Sequence, residues 1–152
     1  MTVFKSQIGG VVFTELRQIN DDRGSVLHML RSDALDFTRF GECYFSEILP
    51  GVTKAWKRHR VQTQNIAVPV GRVRFVIYDN REGSSSFGRV QVMELGRPDA
   101  YIRLQIAPEL WYGFRCLGNV PALLVNCPDL PYFPSESEQQ AIHTANFPYL
   151  WD

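Results

Sequence analysis

From Lys54 to Gly88 the chain reads KAWKRHRVQTQNIAVPVGRVRFVIYDNREGSSSFG, two alternating runs joined by a tight turn and followed by a Ser/Gly loop. In the second run Val73, Phe75 and Ile77 fall on one side and Arg74, Val76 and Tyr78 on the other. That period of two marks a β-strand, and Pro69-Val70-Gly71 punctuates the pair of strands. In the first run, strict alternation sends Ala55, Lys57 and His59 one way and Trp56, Arg58 and Arg60 the other. Two titratable side chains, Lys57 and His59, are therefore expected on one strand face.

The rest of the chain repeats the pattern at shorter length. Strands are expected at 11–13, 26–30, 43–49, 90–95, 101–106, 114–117 and 123–127. Turns are expected at Asn20–Ser25, Pro50-Gly51 and Gly96–Asp99, and a loop over Pro108–Gly113. Only residues 32–40 have helical flavour, with Ser32 as an N-cap. Prolines at 128, 131, 134 and 148 predict an irregular tail lying on the surface. Short strands spaced by about 8–12 residues, with no repeat or linker, predict an all-β sandwich or barrel in one domain spanning 1–152.

Composition narrows the function. With 152 residues, 45% of them hydrophobic, the chain can bury a real core. Lys+Arg and Asp+Glu balance at 16 each, so no global basic field recruits nucleic acid or an anionic membrane. The local cluster Lys54, Lys57, Arg58 and Arg60 reads either as a solvated strand edge or as a phosphate site. No apolar run approaches the ~20 residues of a bilayer span, and the first residues lack the apolar stretch of a signal peptide. Cys43, Cys116 and Cys127, irregularly spaced in apolar contexts, read as reduced, buried thiols of a cytoplasmic protein.

An ordered set of motifs resembles the dTDP-4-dehydrorhamnose 3,5-epimerase family, small cupin-type jelly rolls acting on nucleotide-linked 4-keto sugars. Asp22-Arg23-Gly24 is similar to the family's D-x-R-G turn, and Gly51 to Lys57 to its G-V-L-R-G-L-H strand. Gly71 to Asp79, Arg81 and Gly83 to Gly88 resemble its G-x-V-x-D-V-x-V-D and R-x-G-S-P-T-F-G segments. Ile106-Ala107-Pro108 with Gly113-Phe114 resembles its I-P-x-G-F-A-H-G-F loop, Tyr132-Phe133-Pro134 its tyrosine segment, and Phe147 to Trp151 the ending of shorter members. The departures fall on the chemistry. Lys57 stands where the family has its catalytic histidine, with His59 two residues on; Lys54 replaces an arginine, Gln64 a lysine, Phe75 an aspartate and Tyr112 a histidine. The acidic partner of the catalytic histidine has no visible counterpart.

The resemblance implies a cofactor-independent epimerase or isomerase of a nucleotide-activated 4-keto-6-deoxy sugar, in surface-polysaccharide or deoxysugar synthesis, working as a homodimer. Such a reaction needs a base, an enolate-stabilising group and an acid on the opposite face. The candidates are His59 as base, Tyr132 as acid and Lys57 as the cation at the enolate, with Lys57 as base only if burial keeps it neutral. Arg23 and Lys54 are the expected diphosphate ligands, with Gln64 and Tyr112 as further substrate contacts. Each also has a bland reading: a surface cation, a satisfied structural histidine, a packed aromatic. A metal is not expected, because His59 has no histidine partner at 57 and Tyr112 fills the place of a distant histidine. The rival reading is a cupin that has lost catalysis and binds a sugar nucleotide or a partner protein.

Overall fold

A computed structural model describes residues 2–152. Two antiparallel sheets face each other. The larger has the order β1 (Val3–Lys5), β2 (Val11–Glu15), β10 (Ile102–Ile106), β7 (Gln64–Val70), β12 (Ala122–Asn126) and β5 (Tyr44–Ile48). The smaller has the order β13 (Ser137–Gln139), β6 (Thr53–His59), β11 (Trp111–Leu117), β8 (Arg72–Tyr78) and β9 (Val90–Gly96). A separate hairpin, β3 (Gln18–Asp21) with β4 (Gly24–Leu27), carries the Asp22-Arg23-Gly24 turn. The architecture is the expected all-β jelly roll, with no helix among the described residues. Residues 32–36 form turns instead, closed by amide bonds from Ala34 to Arg31 and from Phe37 to Ala34, and 37–40 are irregular.

The alternation read from the sequence explains the layers. Phe75, Ile77, Leu104, Ile106 and Leu124 fill the space between the sheets, each buried side chain contributing about 1.5–3 kcal/mol. The opposite face of the smaller sheet is apolar too. There Trp56, Val76, Tyr78 and Trp111 are covered by Phe147 and Trp151 of the tail. The proline-rich tail thus lies on the surface as expected, but as a packed aromatic cover that also supplies β13. Trp111 to Gly113 belong to β11, so the loop expected at 108–113 is shorter than the sequence suggests.

One irregularity shapes the site. Tyr112 pairs with Lys57 and Gly113 with Ala55, so Trp56 is an extra residue in β6. This bulge resets the alternation. Lys54 and Lys57 both line the space between the sheets, whereas strict alternation sets them on opposite faces; Ala55 and Trp56 both pack against the outer aromatic cluster. Gly113 permits the close approach, since a Cβ there would lie 2.4 Å from that of Ala55.

Candidate active site

Between the sheets, at the β5 end of the larger one, lies an open cavity of about 360 Å³. Lys54, Lys57, Tyr112 and Phe114 line one wall, from the smaller sheet; Tyr44, Ser46, Leu124 and Asn126 line the other. Two lysines and no carboxylate among the lining residues make it a place for an anion. The basic cluster of the sequence is thereby split. Lys54 donates to the Glu47 carbonyl at 2.6 Å and to Ser46 Oγ at 3.3 Å. Arg58 and Arg60 face outward, where both pair with Glu138 and Arg58 also covers the Trp111 ring.

Behind the lysine wall sits a chain of three buried groups. β13 pairs Ser137 with His59, which brings the preceding residue, Glu136, against the imidazole. Glu136 Oε2 lies 2.6 Å from His59 Nδ1, and His59 Nε2 lies 2.8 Å from Tyr112 Oη. Glu136 is fully buried and its other oxygen accepts the amides of Val61 and Gln62 at 3.2 and 3.0 Å. Burial pushes the Glu136 carboxyl up, but the His59 bond and the two amides outweigh it and hold the group below its ordinary value. Burial also lowers His59, against the bond and charge of Glu136, which favour protonation; Lys57 adds to the lowering. The pair at neutral pH is therefore a carboxylate and a neutral imidazole. A carboxylate only accepts, so Nδ1 carries the hydrogen and Nε2 is bare. It follows that Tyr112 donates its hydroxyl hydrogen to His59. Burial raises Tyr112 well above its ordinary value, which keeps that proton in place at rest.

Tyr112, not His59, lines the cavity. The two rings stack at 5.8 Å, and Phe75 continues the stack behind Tyr112 at 5.6 Å. On the facing wall Asn126 Nδ2 donates to Tyr44 Oη at 2.8 Å, which leaves the Tyr44 hydrogen uncommitted to that bond.

Of the residues picked from sequence, Lys54, Lys57 and Tyr112 meet at the cavity and His59 stands directly behind it. Three do not meet there. Tyr132 lies in the Pro131–Pro134 segment, which has no strand pairing, and is 63% exposed outside the cavity. Gln64 is buried but absent from the lining; its oxygen accepts from Asn126 at 2.6 Å, so it orients a wall residue. Arg23 sits at the tip of the β3–β4 hairpin, its side chain 86% exposed and paired with Asp21. The sequence reading missed Glu136, Tyr44 and Asn126. The Glu136-Ser137-Glu138 triplet does carry a period-two hint of a strand, and Tyr44 shares a strand face with Ser46 and Ile48. Among the described residues no group of three or more His, Cys, Asp or Glu side chains is gathered at metal-binding distance.

Comparison with known proteins gives a consistent result. The family model described as dTDP-4-dehydrorhamnose 3,5-epimerase matches residues 5–149. The probable low-salt glycan biosynthesis epimerase Agl13 of Haloferax volcanii is 33% identical over 128 residues, covering 82% of this chain and 81% of that protein. The spore coat polysaccharide biosynthesis protein SpsL of Bacillus subtilis is 30% identical over 135 residues, covering 89% of each chain. Among solved structures, a dTDP sugar isomerase from Desulfovibrio desulfuricans G20 superposes with a TM-score of 0.94 at 49% identity, over 95% of this chain and 92% of that one.

Proposed function

The chain belongs to the dTDP-4-dehydrorhamnose 3,5-epimerase family, and we propose that it inverts a carbon beside the ketone of a nucleotide-linked 4-keto-6-deoxy sugar through a Tyr112–His59–Glu136 proton relay. It is a nucleotide-sugar epimerase of polysaccharide biosynthesis. The observation that carries the mechanism is the unbroken hydrogen-bond chain from a buried carboxylate to a phenol at the cavity wall.

The steps follow from the donor directions. The carbon-bound proton passes to Tyr112 Oη while the Tyr112 proton passes to His59 Nε2, and the C–H electron pair becomes the enolate. The imidazolium formed is held by the Glu136 carboxylate, so no buried charge is left unpaired. The Lys57 ammonium lies at the same wall as Tyr112 and stabilises the enolate oxygen without losing a proton. Reprotonation comes from the facing wall, where Tyr44 takes the role that the sequence suggested for Tyr132. Its phenol then regains a proton from solvent at the open mouth, while His59 returns its proton to Tyr112 and Tyr112 releases the one taken from carbon to solvent in the cavity.

Lys54, exposed at the cavity edge, is the diphosphate contact available within one chain. Arg23 does not line its own cavity and is paired with Asp21 at the hairpin tip, and Ile19 and Val26 on the same hairpin are exposed. A homodimer in which that hairpin reaches a second copy accounts for both facts. We place the reaction in the cytoplasm, where sugar nucleotides are made; no helix among the described residues is long and apolar enough to cross a membrane.

The test is incubation with nucleotide-linked 4-keto sugars in deuterated water, read by NMR. Deuterium should enter beside the ketone, with inversion. A sugar nucleotide that binds yet exchanges no proton would favour the non-catalytic reading.

A further inference from the structure

Cys43 and Cys127 stand opposite each other at the end of the β5–β12 ladder. The last registered pair is Tyr44 with Asn126. One step outward, Cys43 faces Cys127, and beyond it the amides of Gly41 and Glu42 donate to the Pro128 carbonyl at 2.9 and 3.4 Å. The Cys127 amide turns the other way, to the Asn65 carbonyl on the β7 side at 2.9 Å. The two cysteines therefore form a non-hydrogen-bonded pair. In such pairs the Cα atoms lie about 4.5 Å apart with side chains on one face, inside the disulfide range of roughly 4.4–6.8 Å. Cys43 is exposed and Cys127 half-buried, so neither is the buried, inert thiol expected from sequence. Cys116 is different: it is buried in the core, its thiol directed at the Val120 carbonyl.

We propose that Cys43 and Cys127 form a reversible disulfide that fastens the start of β5 to β12. The location gives the bond a consequence. The next residues inward, Tyr44 and Asn126, line the cavity from the other face of the sheet and bond to each other. A clasp one residue away holds that wall in place when β5, an edge strand, would otherwise fray.

The chemistry uses a small-molecule disulfide as oxidant. The exposed Cys43 thiolate attacks it, forming a mixed disulfide and releasing one thiolate. Cys127 then loses its proton to water and attacks the Cys43 sulfur, releasing the second thiolate. Two electrons pass from the protein to the oxidant. Burial, then the neighbouring Cys43 thiol, pushes Cys127 up to about 12, so Cys43 is the entry point.

The experiment equilibrates the intact protein with glutathione buffers of rising disulfide fraction, followed by thiol counting and peptide mapping. Wild type should fall from three free thiols to one, with a single link between residues 43 and 127 that dithiothreitol reverses. Cys116→Ser should form the same link; Cys43→Ser should keep both remaining thiols. Amide hydrogen exchange over 41–48 should slow on oxidation in wild type and stay unchanged in Cys43→Ser. Three persistent thiols, glutathione capping of Cys43 alone, a link through Cys116 or between chains, or unchanged amide exchange would each overturn the proposal. None of these readouts depends on the sugar reaction.

Discussion

Asp79 and Glu136 are both fully buried carboxylates, and they are held in different ways. Asp79 directly follows β8 and accepts from the Arg81 amide and guanidinium and from the hydroxyls of Ser84 and Ser86, all at 2.6–3.0 Å. Burial works against it, but those bonds hold its carboxyl far below the ordinary range. Its counter-charge is permanent, because arginine does not deprotonate. Glu136 instead faces an imidazole that is neutral at rest and gains a charge only when it takes a proton. The first arrangement fixes a loop and has nothing left to give. The second keeps an unmatched carboxylate waiting beside a base whose other nitrogen leads to the cavity. Burial alone does not set the two carboxylates apart; the titratable partner does.

Removing the carboxylates should separate these roles. The largest effect is expected at the relay. His59→Asn or Glu136→Gln should slow deuterium exchange beside the ketone by about 10²–10⁴-fold, the usual range for a positioned acid–base group, as read by NMR at equal folded protein. Tyr44→Phe should sharpen the division of labour between the walls. It should retain exchange while the inverted product falls by about 10²-fold or more, a split visible in the ratio of deuterated substrate to product.

At Asp79 the expected loss is of structure. Asp79→Asn leaves Arg81 without its charge partner and should cost about 1–3 kcal/mol, lowering the melting temperature by roughly 2–4 °C per kcal/mol for a chain of this size. The exchange rate per folded molecule should stay near wild type. A mutant of normal stability with no exchange would break the comparison.

Acid should reach the two regions in order. His59 has its folded pKa below the ordinary 6.5, so the unfolded chain binds the extra proton first and stability declines as pH falls below about 6.5. Glu136, held below 4.5, and Asp79, held below 3.8, contribute stability that is present above those values and lost only at lower pH. A melting series from pH 8 to 3 on wild type and His59→Asn should show the upper step in wild type alone. A loss of stability like that of Asp79→Asn is expected at Gly113→Ala. Its Cβ would press on Ala55 and on Trp151, 3.0 Å away, at a cost of about 1–3 kcal/mol for overpacking.

The fold was legible in the sequence because the core strands alternate cleanly, as at Val73, Phe75 and Ile77. The loop over Ser84–Ser86 was legible too, as local turn chemistry around Arg81. The site was harder. The bulge at Trp56 breaks the alternation that placed Lys54 and Ala55, and only the pairing with Gly113 reveals it. Glu136 meets His59 across 77 positions of chain, through a three-residue strand in a segment that reads as proline-rich tail. Tyr132 was attractive for its motif, yet the prolines at 131 and 134 already predicted a surface segment there, and that local signal agrees with its exposure. Local pattern gives the face a side chain takes only where no bulge intervenes, and it does not say which distant strand will pair beside it.

The most direct measurement sets the two carboxylate variants side by side. Glu136→Gln and Asp79→Asn, each corrected for folded fraction, are incubated with the same nucleotide-linked 4-keto sugar in deuterated water, and exchange beside the ketone is timed by NMR. A relay ending at Glu136 predicts exchange at least about 10²-fold slower in Glu136→Gln and near wild-type exchange in Asp79→Asn. Equal exchange in the two variants would contradict it.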